Sequence, residues 1–74
     1  MTESQAVILF HTSNHALRAE KLLQTESIDC RLVPVPRELS SDCGVCLRLS
    51  RNALEAACTL LAARRVEIAA THAI

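Results

Sequence analysis

The segment between residues 30 and 49 constrains the fold of this chain more than any other. Residues 30–35 are rich in apolar and branched side chains, and residues 45–49 alternate as Val-Cys-Leu-Arg-Leu, which is the two-residue period of a strand. The nine residues between them, Pro-Arg-Glu-Leu-Ser-Ser-Asp-Cys-Gly, are mostly polar. We therefore predict a β-hairpin with a polar loop in the middle of the chain.

A strand and a helix flank the hairpin on each side. Residues 6–11 read as a strand, and Thr12 or Ser13 offers a cap for a helix that ends near Glu26. After the hairpin, Ser50 or Asn52 caps a helix rich in Ala and Leu that ends near residue 64, and residues 66–69 read as the last strand. The order βαββαβ predicts one α+β domain over residues 1–74, a ferredoxin-like plait with a four-stranded antiparallel sheet and both helices on one face.

The apolar residues of the hairpin suggest one register. The expected pairs on the helix-covered face are Cys30 with Leu49, Leu32 with Leu47, and Pro34 with Val45. The opposite face then has Val33 across from Cys46 and Arg31 across from Arg48. Like charges directly across a ladder are unfavourable, so this arginine pair either takes a counter-charge, an anionic ligand or a partner chain, or extends into water. Since Pro34 cannot donate to a ladder, it predicts an edge strand.

Helical wheels indicate which residues face the core. The inner arc of the first helix holds Ala16, Leu17, Ala19 and Leu23, and that of the second holds Leu54, Ala57, Cys58 and Leu61. Glu20 falls inside the first arc, so it either pairs with Arg37 or lies at the margin of a helix rotated toward Leu22. Cys30 and Cys58 are predicted to be core residues, because a free cysteine often packs as a small apolar side chain.

Composition excludes several classes of function. Eight basic residues balance eight acidic ones, and Phe10 is the only aromatic residue, so the chain lacks the basic face and stacking platform typical of nucleic-acid binding. The longest apolar run near the start has five residues, far fewer than the ~20 of a membrane span. The amino terminus does not resemble a secretion signal, which predicts a cytoplasmic protein with reduced cysteines.

The strongest candidate for chemistry is Cys43, at the end of the hairpin loop. It precedes Gly44, the only glycine of the chain. Glycine permits a positive φ and close backbone approach, which predicts that Cys43 lies on a turn with its thiol exposed. In the same loop, Arg37 would lower the pKa of the thiol and Asp42 would raise it, and the net direction stays open.

The spacing Cys43-Gly44-Val45-Cys46 has three interpretations. A thioredoxin-type redox pair opens a helix, whereas this motif enters a strand, in which three residue steps span about 10 Å, more than the ~7 Å that a disulfide tolerates. A zinc or iron–sulfur site requires further ligands, and Cys30 and Cys58 are assigned to the core. The third interpretation makes Cys43 a nucleophilic thiol and Cys46 either incidental or a helper.

His11 and His15 are candidates for a base that acts on this thiol. We expect the first and third strands of the plait to run parallel, so the end of the first lies near the end of the third, about 16 Å from Cys43. On that expectation, His11 is a strand-end residue and His15 a residue of the first helical turn, without a catalytic role.

Three blocks of the chain resemble a known family. Residues 15–23, 32–38 and 40–44 are similar to the small bacterial family DUF3343, whose members are described as putative selenium/sulfur carrier-like proteins. The family's loop cysteine matches Cys43, its glycine Gly44, and its Pro-Arg pair residues 36–37. The chain departs from the family at residues 14–15, Asn-His in place of His-His, and at Cys46, where a small residue such as Ala is expected.

The resemblance implies a carrier rather than an enzyme with turnover. Cys43 would hold a sulfane sulfur or selenium atom as a persulfide or selenosulfide, and Cys46 is a candidate helper. Arg37, Asp42 and Gly44 would bind the substrate, no metal or cofactor is expected, and the partners would be a chalcogen donor protein and an acceptor protein. Separately, the apolar residues of the first two strands on the open face of the sheet suggest a homodimer. The alternative is a binding or regulatory module, or a metal-binding module, without thiol chemistry.

Overall fold

The computed structural model describes residues 4–35 and 44–73. In this part of the chain the elements follow the predicted order. They are β1 (Gln5–Leu9), α1 (Ser13–Thr25), β2 (Cys30–Pro34), β3 (Val45–Ser50), α2 (Arg51–Ala63) and β4 (Ala70–Ala73).

The four strands form one antiparallel sheet in the order β2-β3-β1-β4. This confirms the ferredoxin-like α+β fold, with β2 at an edge as Pro34 requires. The hairpin register is also as predicted, since Leu32 lies opposite Leu47 and Arg31 opposite Arg48. The alternation of apolar and polar residues was sufficient to fix it, because a slip by one residue would turn the buried set to the other face.

The expectation that β1 and β3 run parallel is wrong. The two strands pair antiparallel, with Leu9 opposite Cys46. The connection through α1 makes β2 parallel to β1, and the hairpin then reverses the chain, so β3 must run against β1. The end of β1 therefore lies beside the start of β3, next to Gly44, and the 16 Å argument against His11 and His15 does not hold.

Local signals set the helix ends. The Thr12 hydroxyl accepts a hydrogen bond from the backbone N–H of His15 at 3.2 Å, and the Ser50 hydroxyl accepts one from the N–H of Asn52 at 3.3 Å. Caps of this kind contribute about 1 kcal/mol each. Both helices are followed by a residue in the left-handed region, Ser27 after α1 and Arg65 after α2, which stops the helical backbone.

The main core lies between the two helices and the sheet. Its fully or nearly fully buried side chains are Ile8, Phe10, Ala16, Ala19, Leu23, Cys30, Leu47, Leu49, Ala57, Leu61 and Val66. The inner arc of α2 is as predicted, because Ala57 and Leu61 are buried and the half-buried Leu54 and Cys58 pack against them.

The inner face of α1 differs from the prediction at Leu17, which is 48% exposed. Ala16, Ala19 and Leu23 are buried, and Leu22 packs against the core from the other side of this stripe. Leu17 is one residue step, about 100°, around the helix from Ala16, away from the centre of the buried stripe. The helix is thus rotated toward Leu22, and Glu20 is half-buried at the margin. Arg37, its proposed partner, lies outside the described residues.

The last strand is not at residues 66–69, as predicted, but at Ala70–Ala73. The N–H of Val66 donates to the carbonyl of Leu61 at 2.9 Å, which ties residue 66 to the end of α2, and its side chain is buried in the core. Pairing with β1 begins only where the N–H of Ala69 donates to the carbonyl of Leu9 at 2.8 Å. Val66 and Ile68 therefore cover the core as a connection, while less apolar residues form the edge strand.

A second, smaller apolar cluster lies on the sheet face that points away from the helices. Its buried members are Val7, Leu9 and Cys46, and Val33, Val35 and Ala70 pack against them. Cys46 therefore faces the opposite side of the sheet from Cys30.

Candidate functional site

The hairpin loop holds most of the predicted site. Cys43, Arg37 and Asp42 lie outside the described residues, whereas Gly44 and Cys46 lie within them. The hairpin closes where the N–H of Val35 donates to the carbonyl of Gly44 at 3.2 Å. Since Cys43 is bonded to Gly44, the geometry around Gly44 describes the border of the site.

Gly44 has the positive φ that its position suggested. Its φ is +75°, it is exposed, and a Cβ built on it would meet no atom of residues 4–35 and 44–73 within 4 Å. The glycine is therefore needed for its backbone conformation.

We expect Gly44→Ala to destabilise the fold by about 1 kcal/mol, because the left-handed backbone disfavours a residue with a Cβ, while no described residue obstructs the added methyl group. Asn tolerates this region better than Ala, so Gly44→Asn should cost less. Urea denaturation of the three proteins measures both changes. A Gly44→Asn variant less stable than Gly44→Ala would show that the side chain at this position meets an obstacle.

The amino end of α1 lies at the same end of the sheet as Gly44. Leu9 lies opposite Cys46, and the chain runs from there through the exposed His11 to the cap at Thr12. One turn into the helix, the Nδ1 atom of His15 is buried and has no hydrogen-bond partner among residues 4–35 and 44–73. Both histidines are thus at the end of the sheet where β3 begins, which sequence reasoning missed because it oriented β1 incorrectly.

The three described cysteines are poorly suited to thiol chemistry. Cys46 is 0% exposed and Cys30 is 6% exposed. Burial, followed by the negative charges of Glu20 and Asp29, raises the pKa of Cys30, and burial raises the pKa of the half-buried Cys58. A raised thiol pKa means less thiolate, the nucleophilic form, at neutral pH.

Alkylation of Cys30 and Cys58 in the native protein should be slow. We expect Cys30 and Cys58 to react with iodoacetamide at neutral pH more slowly than cysteine in an unfolded control peptide, because little thiolate is present and access is restricted. Their rates should rise as the pH passes the ordinary thiol pKa and continue to rise beyond it. Peptide mass spectrometry after timed quenching measures each site, and native rates equal to those in urea would contradict the prediction.

A metal centre finds no support in the described chain. Residues 4–35 and 44–73 contain no group of three His, Cys, Asp or Glu side chains arranged to hold an ion. Cys30 and Cys46 point to opposite faces of the sheet, so they cannot share one ion with a third ligand on either side.

A groove lies at the other end of the sheet, where β2 begins and β3 ends. It has a volume of about 370 Å³. Its lining includes Gln5, Asp29, Arg31, Arg48 and Ser50. The two arginines are those that the register predicted to face each other, whereas no sequence signal had pointed to Gln5.

Comparison with known proteins assigns the chain to a family. The family described as "Putative Se/S carrier protein-like" matches residues 5–73. The chain belongs to this Se/S carrier-like family. No curated protein and no solved structure matches the chain. The match includes every strand and helix of the described structure and the loop that contains Cys43, so it confirms the resemblance read from the three sequence blocks.

No helix in the described parts of the chain has the length and apolar character required to cross a bilayer.

Proposed function

We propose that this protein is a cytoplasmic chalcogen carrier that holds a sulfane sulfur or selenium atom on the thiol of Cys43. The observation that carries the proposal is the family match over residues 5–73. Burial of the other cysteines supports the choice of residue, because Cys30, Cys46 and Cys58 are buried or half-buried. Cys43 is bonded to Gly44, which is exposed at the mouth of the hairpin.

Loading is a thiol exchange that needs no cofactor. The Cys43 thiolate attacks the terminal sulfur of a donor persulfide, a bond forms between the two sulfurs, and the sulfur–sulfur bond within the donor breaks. The donor leaves as a thiolate, and Cys43 becomes a persulfide. The transferred atom keeps its oxidation state, so no external oxidant or reductant is consumed. With selenium in place of sulfur, the product is a selenosulfide.

In discharge, Cys43 is the leaving group instead of the nucleophile. A nucleophile of the acceptor protein attacks the terminal atom, and Cys43 leaves as a thiolate. Both transfers require direct contact with a partner protein, which suits a thiol on a hairpin loop better than one in a closed pocket.

Two neighbours of Cys43 would bind the transferred atom, and a third would oppose the negative charge on it. The Arg37 guanidinium and the Gly44 amide are donors for the terminal anion of the persulfide, and hydrogen bonds to an anion are the strong ones. Asp42 acts with the opposite sign, since a negative charge beside the thiol disfavours the thiolate. Arg37 and Asp42 together would set the fraction of thiolate and the readiness of the loaded group to leave.

Intact-mass spectrometry tests the proposal. The reduced protein is incubated with a cysteine desulfurase and cysteine, or with selenite and a thiol, and the mass is read before and after addition of a reductant. We expect the mass to increase by one sulfur or selenium atom and to return to its original value after the reductant is added. No gain in mass, with alkylation confirming that the Cys43 thiol is accessible, would contradict it.

A further inference from the structure

Two arginines face each other on the exposed side of the hairpin. Arg31 of β2 is directly opposite Arg48 of β3, and both side chains are exposed. Neither has an ion-pair partner within residues 4–35 and 44–73, and Arg48 donates only one long hydrogen bond, from Nε to Gln5 Oε1 at 3.4 Å. Because like charges directly across a ladder destabilise a sheet, this arginine pair destabilises the protein when no anion is bound to it.

The groove beside this pair adds further donors. Ser50, which is also the cap of α2, lines it, and its hydroxyl can donate a hydrogen bond. Gln5 lies opposite Ser50 in the ladder, and its Oε1 accepts the hydrogen bond from the Nε of Arg48. The terminal guanidinium nitrogens of Arg48 stay available to a ligand. Among the described residues that line the groove, Asp29 is the one acidic residue, so this part of the lining carries two positive charges and one negative charge.

We infer that this groove binds a phosphate-type oxyanion, either free phosphate or the phosphate group of a small monoester. Each guanidinium presents a planar fork of donors that matches two oxygens of such a group. A tetrahedral dianion has enough oxygens for both forks, whereas a single carboxylate has only two. The volume of about 370 Å³ also leaves room for an organic group attached to the phosphate.

This site does not depend on the proposed carrier function. From Gly44 to Arg48 is four residue steps along β3, about 13 Å at the rise of a strand. The Arg31 and Arg48 groove and the Cys43 loop are therefore at opposite ends of the hairpin, and a variant of one can be tested for the other.

A titration monitored by NMR tests the inference. The ¹⁵N-labelled protein receives inorganic phosphate, with chloride adjusted to keep the ionic strength constant, and a parallel series receives glycerol phosphate. We expect saturable shifts at the amides of residues 29–33 and 48–50. The affinity should fall at least tenfold in Arg31→Gln and in Arg48→Gln, and stay unchanged in Arg18→Gln, which removes an exposed arginine of α1 outside the groove.

The two ligand series separate the sources of the anion. Tighter binding of glycerol phosphate indicates a phosphomonoester, and equal binding indicates free phosphate. No saturable shift with either ligand, or equal affinity in wild type and both groove variants, overturns the inference. Removing either arginine relieves the repulsion, so both variants should fold, and circular dichroism verifies this.

Discussion

Cys43→Ser should abolish chalcogen loading. The serine hydroxyl has nearly the shape of the thiol, but it cannot form a persulfide, so intact-mass spectrometry after incubation with the desulfurase and cysteine should show no added atom. The remaining cysteines should not compensate, since Cys30 and Cys46 are buried and burial raises the pKa of Cys58. We expect the loaded fraction to drop from most of the protein to the background level.

Two further variants are the controls. Cys58→Ser should load like wild type, because Cys58 packs on the core side of α2. Cys46→Ser should also load. The helper role of Cys46 is tested by measuring how fast the loaded variant and the loaded wild type discharge to an acceptor thiol. Since Cys46 is 0% exposed, we expect equal rates. Loading that persists in Cys43→Ser would move the site to another thiol, and faster loading of Cys46→Ser would show that the two cysteines compete.

Leu23→Ala should strongly destabilise the fold. Leu23 is 0% exposed and packs in the main core, so its truncation removes apolar contacts and leaves a cavity, at a cost of about 3 kcal/mol. A chain of 74 residues has a total stability of roughly 4–11 kcal/mol. The melting temperature should therefore fall by roughly 12–24 °C, which thermal unfolding monitored by circular dichroism measures.

Leu17→Ala is the matched control for this substitution. It makes the same chemical change in the same helix, but Leu17 is 48% exposed, so the cost should stay within about 0.5 kcal/mol. The difference between the two variants removes the contribution of helix propensity. Similar losses in both would mean that Leu17 is covered in solution, as a homodimer through this side of α1 would require, and the loss in Leu17→Ala would then depend on protein concentration.

The hairpin illustrates what sequence patterns can predict. The alternation in residues 45–49 and the apolar set in residues 30–35 were sufficient to assign the register, including the Arg31 and Arg48 pair. The caps at Thr12 and Ser50 were also among the predicted residues, because capping depends on a hydroxyl and the three residues that follow it. Such features are local, or involve two strands joined by one loop.

Two predictions were wrong because they depend on how elements pack together. Leu17 was assigned to the core because a helical wheel shows which residues share a face but not how the helix is rotated against the sheet. Residues 66–69 were assigned to the last strand because Val66 and Ile68 are the most apolar residues there, although the core takes Val66 as part of the connection after α2. Both outcomes depend on contacts between elements that are distant in sequence.

For the candidate site, the sequence by itself determined that Cys43 precedes the only glycine of the chain, in a loop that joins two paired strands. Only the tertiary structure decided what lies nearby. The antiparallel pairing of β1 with β3 brings His11 and His15 to the end of the sheet next to Gly44, and the burial of Cys30 and Cys46 removes them as competing thiols. Spacing along the chain fixes the order of residues and their local backbone, whereas proximity and burial depend on how the strands pair and the helices pack.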